Sequence, residues 1–143
     1  MEGKEFLAVA QKLLQMRSEA AIRSAASRTY YAIFNTGVKL LNELGFVLPK
    51  DAPAHEQLYH RLHNSGTPVI TEIAIWIKHL QMKRIRADYE MASTEFHSHH
   101  VCEFDIVRAN LIIQRLESCY QQPLRNQLKD GIQEYERKIG FNS

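Results

Sequence analysis

Two stretches carry side chains whose types and spacing could do chemistry together: IRSAASRTYYAIFN at 22–35 and RIRADYE at 84–90. The second continues a helical row, Ile70, Ile73, Ile77, Leu80, Arg84, Ala87, Met91, in which a guanidinium stands where the period asks for an apolar residue. Burying that group unpaired is very costly, so Arg84 needs an acid partner or a wet cleft. The first stretch adds a polar line, Ser24, Arg28, Tyr31 and Asn35, to a helix that is otherwise apolar on most of its circumference. If the two helices meet, Arg84 beside Arg28 and Tyr31 could grip a phosphodiester while a tyrosine stacks on a base. Arg86 and Asp88 would then complete the cleft with Tyr89. A plainer arrangement uses the same residues: Arg84 and Asp88, at i and i+4, pair with each other, or Asp88 pairs with Arg28 and pins two helices. Tyr89 is then a rim aromatic with a wet hydroxyl. Arg86 points away from Arg84 and can join it only from a cleft edge or across a dimer interface.

The histidines form two groups. In FHSHHVC at 96–102, His97, His99, His100 and Cys102 are ligand types suited to zinc, but their spacing matches no established zinc pattern. Cys102 also falls on an apolar stripe and reads as a core thiol. No metal site and no cofactor is assigned. On a short helix, His60 and His63 share a face at i, i+3, with His55 nearby, and read as solvated surface. His60 or His97 would be the proton carrier if catalysis at Arg84 needed one.

These groups are positioned by helices. Phe6, Val9, Ala10, Leu13 and Leu14 predict a first helix over Gly3–Met16. Ile22, Ala26, Ile33, Gly37, Leu40 and Leu44 make one stripe of a second, from Glu19 to Leu44, with Gly45 as its stop. A second stripe, Ser27, Tyr30, Phe34, Val38 and Leu41, widens its buried side. A loop at 45–53 leads to a short helix, Ala54–His63. Thr67 as N-cap and Pro68 in the first turn start the next, which runs to Met91. Beyond a polar loop at 92–98, Ser98 is the expected N-cap of a helix over His99–Gln121 with the stripe Cys102, Ile106, Ala109, Ile113, Leu116, Tyr120. A last helix, Leu124–Lys138, turns Leu124, Leu128, Ile132, Tyr135 and Ile139 inward. The expectation is one all-α domain over 1–143, an up-and-down four-helix bundle with a short extra helix and a C-terminal helix.

Composition agrees with that class. With 143 residues, 45% hydrophobic, the chain can bury a real core but not two comfortable ones. A net charge of +2 is no strong basic excess, so any nucleic-acid binding needs a local patch. No stretch approaches the ~20 apolar residues of a membrane span, and two cysteines make no disulfide framework. The expected setting is cytoplasmic, with no membrane partner.

The paired motif RSAASRTYYAIF and RIRADYE resembles the HEPN superfamily, small all-α domains often encoded beside minimal nucleotidyltransferases. The resemblance covers residues 3–121 and implies a four-helix bundle, often a homodimer. The superfamily includes RNA-cleaving toxins and non-catalytic helpers that bind nucleic acid or nucleotide. Its catalytic members carry an arginine, a polar residue, four to six further residues and a histidine. Counted from Arg84 or Arg86, that histidine falls within 90–94, where this chain has Glu90, Met91, Ala92, Ser93 and Thr94. The expected function is therefore RNA or nucleotide binding without strong catalysis, with a nucleotidyltransferase as partner in a toxin–antitoxin or defence-type system. The alternatives are a metal-independent ribonuclease using Arg84 with His60 or His97, and a structural adaptor.

Overall fold

The computed structural model describes residues 2–140. Its helices are α1 (Gly3–Met16), α2 (Glu19–Glu43), α3 (Pro53–His63), α4 (Pro68–Tyr89), α5 (His100–Ser118) and α6 (Leu124–Lys138). No strand occurs among the described residues, and none of the helices is long and apolar enough to cross a membrane. The all-α bundle is therefore as the apolar periodicity requires.

α2 is the axis of the bundle, packing on α1, α4 and α5 at once. Its predicted stripes account for this: Ile22, Ala26, Tyr30, Ile33, Leu40 and Leu41 are all buried. Each large apolar group so covered stabilises the fold by about 1.5–3 kcal/mol relative to exposure. Ser18 opens α2 by accepting a hydrogen bond from the Ala21 N–H at 3.1 Å. Gly45 closes it at φ +96°, a left-handed turn in which the Phe46 N–H reaches back to the Leu41 carbonyl at 2.8 Å.

Cross-helix pairs set the directions. The start of α2 meets the end of α4 through Arg23, and the start of α1 meets the end of α5 through Lys4 and Glu117. Lys83, late in α4, pairs at 2.5 Å with Asp105, early in α5. The pairs α2–α4, α1–α5 and α4–α5 are thus antiparallel, while α2 and α5 run parallel, Cys102 at the start of α5 lying against the Ile22 carbonyl near the start of α2. α3 lies on α4, and α6 packs on α3. There the buried Arg61 donates from Nε to Glu136 Oε2 at 2.9 Å. At Gly131 a Cβ would stand only 1.6 Å from the Ser65 carbonyl oxygen, so α6 docks where it has no side chain.

Several predicted details change. α4 stops at Tyr89, two residues early, and Met91 lies outside it and exposed. The polar segment 92–98 contains a 3-10 turn, Glu95–His97, whose Phe96 is fully buried. The α5 N-cap position is His99 rather than Ser98, although Ser98 Oγ still accepts from the His100 N–H at 3.3 Å. In α1, Leu7 is buried and Val9 is not. In α6, Glu136 is buried while Ile139 is exposed. Thr67 occupies the N-cap position of α4 but its side chain makes no capping bond.

Candidate functional site

Arg84 reaches α2 at Tyr31 and also pairs along its own helix with Asp88, the plainer arrangement of the two. Its guanidinium carbon lies 5.0 Å from the Tyr31 ring centroid and 5.9 Å from that of Tyr89. One turn on, Asp88 Oδ2 stands 2.9 Å from Arg84 Nε. The Nε–H is not aimed at that oxygen, so the contact is an ion pair without a hydrogen bond, and Nε is buried with no hydrogen-bond partner. The same Asp88 oxygen accepts from Ser27 Oγ at 3.4 Å. The Arg84 side chain retains 18% exposure and is hydrogen-bonded to nothing among the described residues. Charge is balanced at Arg84, and its buried Nε–H is the donor without a hydrogen-bond partner.

An aromatic cluster adjoins this cation. Tyr30, Tyr31 and Phe34 on α2 meet His55 from the first turn of α3, with the Phe34 and His55 rings stacked 4.2 Å apart. The Tyr30 hydroxyl lies 2.6 Å from His55 Nδ1. Burial pushes the Tyr30 phenol well above its ordinary range. Burial, and then the positive charge of Arg84, hold His55 below 6.5. Both groups are therefore neutral at pH 7 and share one proton-mediated bond, with either the Tyr30 hydroxyl or Nδ1–H as donor.

A lowered histidine pKa destabilises the fold on acidification, because the unfolded chain then binds the proton more readily than the folded one. This share of stability is whole above the unfolded value near 6.5 and lost as pH falls through the folded one. In a proton NMR titration the His55 ring should titrate below 6.5, and Arg84→Met should move its midpoint upward. A midpoint at or above 6.5 in the unaltered protein would contradict the arrangement.

The other predicted site residues scatter. Arg28 is exposed and lies over the Phe6 ring of α1, 5.7 Å from its centroid, so it adds nothing to Arg84. Asn35 donates to the Tyr31 carbonyl at 2.9 Å and lines a separate cavity of about 600 Å³ with Thr36, Lys39 and Tyr120. Arg86 is taken by Glu95 in a fork of two hydrogen bonds, 2.8 and 3.1 Å, which hold the Glu95 carboxyl below its usual range. His60 pairs with Glu56 at 3.3 Å, and His97 with Glu19 at 2.8 Å. Glu19 lies twelve residues before Tyr31 on one helix, about 18 Å at 1.5 Å per residue, so His97 belongs to the other end. Neither histidine contacts Arg84. Those brought together are Arg84, Asp88, Tyr31 and Tyr89, with Ser27, Tyr30, Phe34 and His55 added.

His55, rather than His60 or His97, is the histidine that the fold brings to this cluster. Its signal was indirect: Tyr30 and Phe34, four residues apart, present an aromatic pair on one face that a first-turn residue of the next helix could cover. Compared with protein-family models, with curated proteins and with solved structures, the chain matches none.

Proposed function

We propose that this chain is a HEPN-like helical domain that binds RNA or a nucleotide at Arg84, without strong catalysis of its own. One observation carries the reading: a partly exposed guanidinium set between two tyrosines, its Nε–H without a hydrogen-bond partner, with one acid alongside. A phosphate would meet the exposed part of the guanidinium, and Tyr89, 70% exposed, offers a face for a base. The outward row of α4, Ile75, Met82 and Tyr89, repeats every seven residues and is exposed. It supports the homodimer expected of such domains, whose second copy would border the same groove. A nucleotidyltransferase partner in a toxin–antitoxin or defence-type system remains part of the proposal, on the resemblance alone.

Binding of a fluorescein-labelled single-stranded RNA, read by anisotropy, tests it. Charge-assisted hydrogen bonds are worth about 1.5–3 kcal/mol, so Arg84→Ala should weaken binding tenfold or more. Arg86→Ala should change it less than threefold, since Glu95 occupies that side chain. Equal binding by Arg84→Ala and the unaltered protein removes the site. The RNA recovered from the same mixtures tests the ribonuclease reading, which one observation favours: a neutral histidine, His55, stands within the field of Arg84. In that reading His55 takes the attacking hydroxyl's proton and Arg84 meets the charge that develops. Cleavage abolished by both His55→Ala and Arg84→Ala would select it over binding alone.

A further inference from the structure

The geometry points to a site for a zinc-type divalent metal ion on the first turn of α5, formed by His99, His100 and Glu103. It is independent of the Arg84 groove. His99 Nε2 lies 3.0 Å from Glu103 Oε1, and His100 Nδ1 lies 3.1 Å from Glu103 Oε2. The two imidazole rings, from successive residues, are 4.1 Å apart, and all three ligand atoms fall within 4.8 Å of one another. Bonds of about 2.0–2.1 Å in a tetrahedron place ligand atoms roughly 3.3–3.4 Å apart. The two contacts to Glu103 must open by a few tenths of an ångström, and the two imidazole nitrogens, now within 4.8 Å of each other, must come to that spacing by rotation of the side chains.

The donor set, two imidazoles and one carboxylate, suits a borderline-soft ion and leaves a fourth position open. That position has room. His99 and Glu103 also line a cavity of about 390 Å³ with Gln11, Gln15 and Arg17 at the end of α1. Two features oppose a cation here, the α5 N-terminus and Arg17. A helix terminus acts on an exposed charge by only about 0.3–1 kcal/mol, less than coordination by three ligands supplies. Arg17 stands beside the open position, so an anionic fourth ligand fits there better than a neutral one.

The other residues of the histidine-rich stretch are excluded by their surroundings. His97 pairs with Glu19. Cys102 is buried with its thiol against the Ile22 carbonyl, and burial pushes it up to about 11. Glu103, one turn on from the histidines, takes the ligand place that a cysteine would have held.

Isothermal titration of the tag-free protein with zinc chloride should show one ion per chain. His99→Ala, His100→Ala and Glu103→Gln should each weaken it at least tenfold, and His63→Ala should leave it unchanged. Circular dichroism of each variant separates lost binding from lost fold. Cobalt(II) in place of zinc should give visible bands of a tetrahedral site without a thiolate charge-transfer band. The proposal is overturned by absent saturable binding, by near-normal affinity in the three variants, or by a thiolate band.

Discussion

Arg23→Met should lower the free energy of unfolding by about 4 kcal/mol, while Arg28→Met, five residues on, should change it by less than about 0.5 kcal/mol. The contrast follows from what each guanidinium touches. Arg23 is 6% exposed and donates to the carbonyl oxygens of Arg86, Ala87, Glu90, Met91 and Ser93 at 2.9–3.3 Å. Its Nε bonds Glu19, and the group lies 5.0 Å from the Phe96 ring centroid. The last carbonyls of a helix have no partner within it and carry partial negative charge, so one planar cation from α2 completes the end of α4. Methionine keeps the stem and removes every donor. The Arg86 and Glu90 carbonyls keep the backbone N–H groups of Glu90 and Ser93; of the Ala87, Met91 and Ser93 oxygens, each left dry costs about 1–3 kcal/mol, and those near the surface recover part of this from water. Against a total stability of about 5–15 kcal/mol, the loss should shift the urea midpoint strongly. Arg23→Lys should fall between, because an ammonium cannot span five acceptors. A loss below about 1 kcal/mol for Arg23→Met would mean that water serves these carbonyls as well.

Glu136→Ala should destabilise by about 3–5 kcal/mol, through the buried contact that joins α6 to α3. The Arg61 and Glu136 side chains are both almost fully covered, at 4% and 7% exposure, and their bond is 2.9 Å long. Removing the carboxylate takes away the charge and the Nε bond that Glu136 supplies to Arg61, whose bonds to Gln57 at 3.4 Å remain. The double change Arg61→Leu with Glu136→Leu should lie much closer to the unaltered protein. A buried ion pair and a well-packed apolar pair are often nearly equal in free energy. Urea denaturation of the three variants decides. If the double change is as damaging as Glu136→Ala, packing at this joint matters more than charge.

Legibility in the sequence followed the kind of physics involved. Apolar periodicity located the helices because burial acts on side chains that repeat, and every predicted helix is present with its ends within a few residues. Arg84 was legible for the same reason, as a break in a row. Arg23 left no trace, since its partners are backbone carbonyls at 86–93, which every residue has. Phe96 is one aromatic in a polar segment and has no period to betray it. His55 depended on where the 45–53 turn sends α3, which spacing along α2 does not encode. Glu136 sits on the inner face of α6 opposite Arg61, while Ile139 lies just past the helix end and is exposed. A pattern that scores acids as outward-facing cannot anticipate that placement.

The contact at Gly131 has a bearing on the register of α6. A helix seated through a missing Cβ is keyed, like a toothless gap on a cylinder, to one axial setting. Sliding it by one place would bring Asp130 or Ile132 onto the Ser65 carbonyl, where even a first side-chain carbon would stand 1.6 Å away. Extra residues inserted at 119–123 therefore cannot be taken up by translation along the axis. They must bulge outward, leaving the Arg61–Glu136 joint where it was.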